Sequence, residues 1–375
     1  MRPFLACLAF VFFCLTPAAV EAAEREWIQE IAVLPPSDGW ESDQGRSVLL
    51  ALRFAEKEVN SSPEGAGGRD IRFVRLEPGS GPGELKRPDV RAVLASGPDL
   101  PEDLAEVFLR GWTGPPVVLA GGERVEFSPR DAPRLYALDF FQDFRANAFA
   151  RYAALHLPKG STIAILSDNL GEDSRRGASL TRSFLEESGY TVFPLFFPGQ
   201  GENAFQFVMQ EIRDSGAGAV VVWLGSMSAM DLWHVSARSG IAVEFWNASD
   251  REELIRLFEG MTVVSQNPTG HAPFLELSRR LRLDFGERPK DLLAAARVYA
   301  CARWIIAALS RVNASGASLD VSLSTMSGIP FGKEMLSINP ATHRPQMRSV
   351  RVYRASSKTW RQEAEFDVPA WETAY

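Results

Sequence analysis

Short apolar runs alternate with amphipathic stretches along most of the chain. "IAVL" (31–34), "IRFVRL" (71–76), "VRAVLA" (90–95) and "PPVVLA" (115–120) read as buried strands. Between them Gln44–Asn60 has Val48, Leu52, Ala55 and Val59 at helical spacing, and Glu102–Leu109 follows the same rule. "GAGG" (65–68) predicts a turn and "PGSGPG" (78–83) a loop.

A second series of the same kind starts near 145. It runs through a helix to about His156, "TIAILS" (162–167), a helix near 174–188 and "YTVFPLFF" (190–197). A helix over 203–214, "AVVVWL" (219–224), a helix over 229–238, "VEFW" (243–246), a helix over 250–258 and "MTVVS" (261–265) complete it. Strands alternating with helices predict parallel sheets covered on both faces. The two series repeat a pattern, not a sequence. Helices then follow at Ala272–Phe285 and from Asp291 to about Val312, the second apolar on most faces. Asp291, Arg297, Arg303 and Arg311 interrupt it, so it reads as a core helix. "SVRVYRASSKTWR" (349–361) alternates like an antiparallel hairpin.

The first residues change the picture. Arg2 precedes an apolar run from Phe4 to Leu15, then Pro17 and small residues. Such a run rises about 18 Å as a helix, short of the ~30 Å hydrocarbon core of a bilayer. The pattern predicts a signal peptide, residues 1–22, cut after Ala22. Cys7 and Cys14 leave with it, so the mature chain holds Cys301 alone and no internal disulfide. Arg2 and Glu21 also leave together, and the formal charge stays at −7. An acidic chain is poorly suited to nucleic acid. A bacterial periplasmic location is expected, and the sequons at Asn60, Asn247 and Asn313 are then coincidental.

Catalytic patterns are missing. His156, His234, His271 and His343 are scattered, without metal-ligand spacing. "GSMSAM" (225–230) lacks the second glycine of a nucleophile elbow. "GEDSRRG" (171–177) has neither the spacing nor the lysine of a phosphate loop. Glu172 and Asp173 suit a bare helix N-terminus, and Gly171 suits the turn before it. The alternative for this turn is a pocket lining by Asn169 and Leu170, just past a strand's C-terminal end, where parallel sheets bind ligands. Trp40, Trp223 and Trp246 also stand near strand ends. Each either packs within its own lobe or offers a ligand an apolar face and an N–H.

The order and spacing of several segments resemble the type I periplasmic solute-binding proteins, the branched-chain amino-acid and amide receptor family of ABC importers. "IAVLPPSDGWESDQGRSVLLALRFAEKEVNSSPEGAGGRDIRFVRLE" resembles that family's opening, with Val59-Asn60 and Gly67-Gly68-Arg69 in place. "KGSTIAILSDNLGEDSRRGASLTRSFLEESGYTV" resembles the start of the second lobe. "GAVVVWLGSMSAMDLWHVSARSGI" and "SINPATHRPQMRSVRVYR" resemble later family segments. The likeness covers about residues 27–365.

It implies an α/β fold of two Rossmann-like lobes with parallel sheets, joined by a three-segment hinge. Lobe 1 would take 23–142 plus 266–340, and lobe 2 would take 143–265 plus 341–375, with crossings near 138–145, 264–267 and 338–347. It further implies a monomer without cofactor that binds a small polar or amino-acid-like solute between the lobes, closes over it and meets a membrane permease. The site residues it points to are Trp40, Ser96, Gly121, Gly122, Asn169, Leu170, Trp223, Ser226, Asn247 and Asp250. The family's amino-acid clamp is not matched. Gly121, Gly122 and Glu123 stand where its threonine belongs, and Leu170 stands for a tyrosine. A sensor subunit for a membrane signalling protein would share these features, and a periplasmic hydrolase is a third reading.

Overall fold

The computed structural model describes residues 28–97, 100, 102–121, 127–138, 142–168, 172–197, 202–224, 226–248, 259–265, 272–331, 334–346, 349–357 and 359–367. Its first sheet is fully parallel, with strand order β2-β1-β3-β4-β5. The strands are β1 (Ile28–Leu34), β2 (Asp70–Arg75), β3 (Val90–Ala95), β4 (Val117–Leu119) and β5 (Leu135–Ala137). The inner strands are apolar on both faces because helices cover both.

On one face lies α1 (Asp43–Asn60), started by Ser42, whose hydroxyl accepts from the Gly45 amide at 2.9 Å. The Asn60 side chain ends this helix by bonding both backbone groups of Ile71, at 2.8 and 2.9 Å. The short α2 (Pro82–Leu85) interrupts the expected loop, and α3 (Glu102–Leu109) covers the other face.

The second sheet has the order β15-β14-β10-β9-β8-β6-β7. Its parallel part is β6 (Thr162–Asp168), β7 (Thr191–Phe197), β8 (Ala219–Trp223), β9 (Glu244–Asn247) and β10 (Thr262–Ser265). Helices α4 (Gln142–His156), α5 (Glu172–Glu187), α6 (Glu202–Ser215) and α7 (Ser226–Ser239) pack on it. The late hairpin, β14 (Ser349–Ser356) with β15 (Thr359–Asp367), adds antiparallel to β10. The helix expected over 250–258 falls on 249–258, outside the described residues.

Helices α8 (Ala272–Phe285) and α9 (Leu292–Ser315) return to the first core. Among the described residues α9 alone is long and apolar enough to cross a membrane. It is instead capped by Asp291 and by a left-handed Gly316 (φ 69°), with Cys301, Trp304 and Ile305 fully buried against α1 and the sheet. Four elements after α9 go beyond the sequence expectations: α10 (Leu319–Ser324) and the small sheet of β11 (Ser327–Phe331), β12 (Glu334–Asn339) and β13 (Arg344–Pro345).

The chain passes between the two cores three times. The passages lie between Leu138 and Phe144, between Val264 and Phe274, and between Ile338 and Val350.

Candidate functional site

All parallel strands in a sheet point their C-terminal ends the same way, and that edge gathers most of the site residues expected from the sequence. In the first sheet, β3 and β4 are register partners at Ala95 and Leu119, which sets Ser96 beside Ala120 and Gly121. Ser96 is 3% exposed, and its hydroxyl donates to the Leu34 carbonyl at 2.7 Å. Its O–H is therefore already engaged, and acceptor capacity is what it has left. Gly121 is buried just past β4. Gly122 lies outside the described residues.

The loop after β1 is pinned from within. Gly39 takes φ 76° and its amide bonds to Pro36 O at 2.9 Å. Trp40 is buried, and its indole N–H donates to Leu76 O at 2.7 Å.

In the second sheet, Ser167 pairs in register with Trp223, and Val222 with Asn247, so the ends of β6, β8 and β9 stand side by side. Ser174, in the first turn of α5, ties two of them. It accepts from the Asp168 amide at 3.0 Å and donates to the Trp223 carbonyl. Arg145 of α4 donates to Ala248 O at 3.1 Å and holds the end of β9. Ser226 opens α7. Asn169, Leu170 and Asp250 lie outside the described residues.

Trp223 points into the lobe. Its N–H donates to Thr181 Oγ1 at 3.0 Å, its ring meets Phe149 edge-on at 6.0 Å, and one ring face lies on Gly177. A Cβ on Gly177 would come within 2.4 Å of that ring. The second glycine of "GEDSRRG" thus makes room for an indole, which is a packing reason and not a phosphate one. Trp246 is also fully buried, with its N–H on Glu244. The indole N–H groups of Trp40 and Trp223 are thus engaged inside the lobes, and that of Trp246 on the exposed Glu244 carboxylate.

Asn247 differs. It is 2% exposed, and its Nδ2 has no hydrogen-bond partner among the described residues. Its neighbours in register are Val222 and Val263, which offer nothing to an amide. Buried polar groups are nearly always paired, because leaving a donor bare costs about 1–3 kcal/mol.

Sequence reasoning missed Ser174, Thr181, Gly177 and Arg145 as the residues that fix these strand ends. The Ser174 signal was present in the sequence, as a hydroxyl in the first turn after a strand–glycine junction. Among the described residues no group of three or more His, Cys, Asp or Glu could hold a metal ion. Cys301 is buried in α9, where its thiol meets Leu119 O at 3.6 Å.

No protein-family model matches the sequence, and no curated protein matches it either. Solved structures do match. An ABC transporter substrate-binding protein from Sphaerobacter thermophilus superposes with TM-score 0.70 at 15% identity, over 91% of this chain and 98% of its own. One from Desulfitobacterium hafniense, in complex with Leu, gives 0.67 at 13% identity, over 90% and 100%. A solute-binding protein of an ABC transporter from Rhodopseudomonas palustris BisB5, in complex with 3,4-dihydroxybenzoic acid, gives 0.68 at 15%, over 91% and 97%.

This is the type I periplasmic binding protein fold. The likeness covers nine-tenths of the chain. At this identity it carries architecture and not ligand contacts. The structures named above are of binding proteins, one in complex with an amino acid and one with an aromatic acid.

Proposed function

We propose that the mature protein works in the periplasm, binds a small polar solute between its two lobes, and delivers it by cleft closure to the membrane permease of an ABC importer. The observation that carries this reading is the fold itself: two parallel sheets connected three times, over nine-tenths of a chain that matches solute-binding proteins. On this reading the lobes are 23–142 with 266–340 and 143–265 with 341–375. The solute touches the strand ends around Ser96, Gly121, Gly122, Asn169, Leu170, Ser226, Asn247 and Asp250. No catalytic step is needed.

The ligand is a molecule with hydrogen-bond acceptors. Ser96 keeps only acceptor capacity, whereas the Asn247 amide has an idle donor. The test is thermal unfolding with L-leucine, benzoate, 3,4-dihydroxybenzoate and short amides, alongside native mass spectrometry of freshly purified protein for a retained small molecule. A solute at ~100 times its Kd stabilises by about 2.7 kcal/mol. It should also reduce the radius of gyration in solution scattering, since the lobes close by hinge bending. A bound solute that left the scattering curve unchanged would overturn the closure mechanism. Protein that carries no small molecule and responds to none of the panel would count against solute binding itself.

Asn247 gives a second test. Asn247→Leu keeps the shape and removes the bare donor. It is expected to stabilise the solute-free protein by about 1–3 kcal/mol in urea unfolding and to weaken whatever solute is found. A loss of stability would mean that a buried water already satisfies the amide.

A further inference from the structure

His343 sits on the third passage between the cores, four residues after β12 ends and six before β14 begins. It is 8% exposed and holds φ 55°, a left-handed conformation that a non-glycine side chain keeps only when its surroundings hold it there. Those surroundings are the strand that leads into the first passage. The His343 carbonyl accepts from the Ala137 amide at 3.1 Å. The ring Nδ1 lies 3.0 Å from Leu135 O. A carbonyl can only accept, so Nδ1 carries the hydrogen and, in the neutral ring, Nε2 is bare. The imidazole is stacked on Tyr136, with centroids 4.3 Å apart and planes 14° from parallel. Tyr136 is braced in turn by its hydroxyl on Asp320 O at 3.1 Å and by the edge of Trp304 at 6.0 Å. One residue of the third passage is therefore stapled to the strand that leads into the first.

We propose that His343 is a proton-sensitive latch beside the hinge: as the neutral imidazole it locks the third passage to β5, the strand that feeds the first passage, and on protonation the lock loosens. This rests on the two-lobe solute-binding reading, because a latch matters only if the lobes move.

Several charged groups face the ring. Asp320 of α10 favours the cation, but Arg134, at the foot of β5, pairs with it at 3.5 Å and offsets that pull. Tyr136 of β5 is neutral, because burial drives its hydroxyl far above the usual phenol range. Arg344, next in sequence, places its guanidinium over Phe127 at 4.7 Å. From α9 the uncharged Trp304 packs on the Tyr136 ring that the imidazole stacks on. Burial outweighs the Leu135 carbonyl and Asp320, and it holds the imidazole below the ordinary 6.5. The sign follows. The unlatched ring takes up a proton more readily than the latched one, so the latch is at full strength above pH ~6.5 and weakens as pH falls through that value.

The test is hydrogen exchange of the Ala137 amide in the full mature chain at pH about 7.5 and about 5.5, corrected for intrinsic chemistry, in the parent and in His343→Asn. Asparagine tolerates the left-handed backbone and its amide can still reach Leu135 O, but it does not titrate. The parent should lose up to about tenfold protection per pH unit below its transition, as one linked proton requires, and His343→Asn should lose none. Equal losses in both proteins, or no loss in the parent, would overturn the latch. If the variant fails to fold, NMR titration of the parent decides: an imidazole of His343 that titrates at or above 6.5 also overturns it. Neither readout needs a solute, so failure here is separable from failure of the binding proposal.

Discussion

A protein with Trp223 replaced by alanine is expected to lose about 3–5 kcal/mol of stability. The indole is 5% exposed, lies on Gly177, meets Phe149 edge-on and donates to Thr181. Truncation empties this volume and leaves the buried Thr181 hydroxyl without its donor. Thr181 still donates to Gly177 O at 2.7 Å, so the helix turn itself survives. Urea unfolding should show a lower midpoint with an unchanged slope. Sequence position alone placed Trp223 in the ligand cleft, and the same variant separates the two roles. If it unfolds at the parent's midpoint while solute affinity collapses, the indole faces the cleft and the packing account is wrong.

Gly45→Ala is the second large effect, and its sign is the opposite of what helix propensity gives. In an open helix, alanine is better than glycine by about 1 kcal/mol. Here a Cβ at position 45 would lie 2.3 Å from the Gly39 carbonyl oxygen and 2.5 Å from that of Trp40. Both are backbone atoms, so no side-chain rotation relieves the clash. The helix start must move away from the loop that follows β1, which also strains the Ser42 cap. A cost near 3 kcal/mol is expected, the upper end of the usual range for overpacking. Solute affinity should fall as well, because that loop borders the proposed cleft. A variant as stable as the parent would show that the loop is soft and that its close approach to α1 is not required.

Much of the fold was legible because it rests on long periodic elements. Glu102–Leu109 and Ala272–Phe285 begin and end where the pattern puts them, and α1 differs by one residue. The elements that escaped are short or carry breakers. β5 is three residues, too few to show a period. β11 is "SGIPF", whose glycine and proline read as loop, yet Ile329 and Phe331 are buried in the first core. The C-terminal edge of each parallel sheet was legible too, since it follows from strand direction. What each side chain does there was not. The partners of Trp40 and Trp223 lie 36 and 42 positions away in sequence, and no local pattern shows which carbonyl or hydroxyl an indole will find. The bare Nδ2 of Asn247 was equally hidden, because it depends on Val222 and Val263 lying on either side.

The threefold passage of the chain also sets an order of assembly. Gln29 and Asn313 hydrogen-bond to each other across 284 positions, and α1 finds its helical partner in α9. On the proposed export route, a chain threaded N-terminus first through a membrane carries the apolar face of α1 uncovered until α9 has emerged. The strands from β6 to β9 need no such wait, being contiguous in sequence with their helices between them. The second lobe can therefore nucleate while the first is still half a core. Long-range closures of this kind are slow and leave sticky surface in transit. The interval between the arrival of α1 and of α9 is when this protein most needs a chaperone.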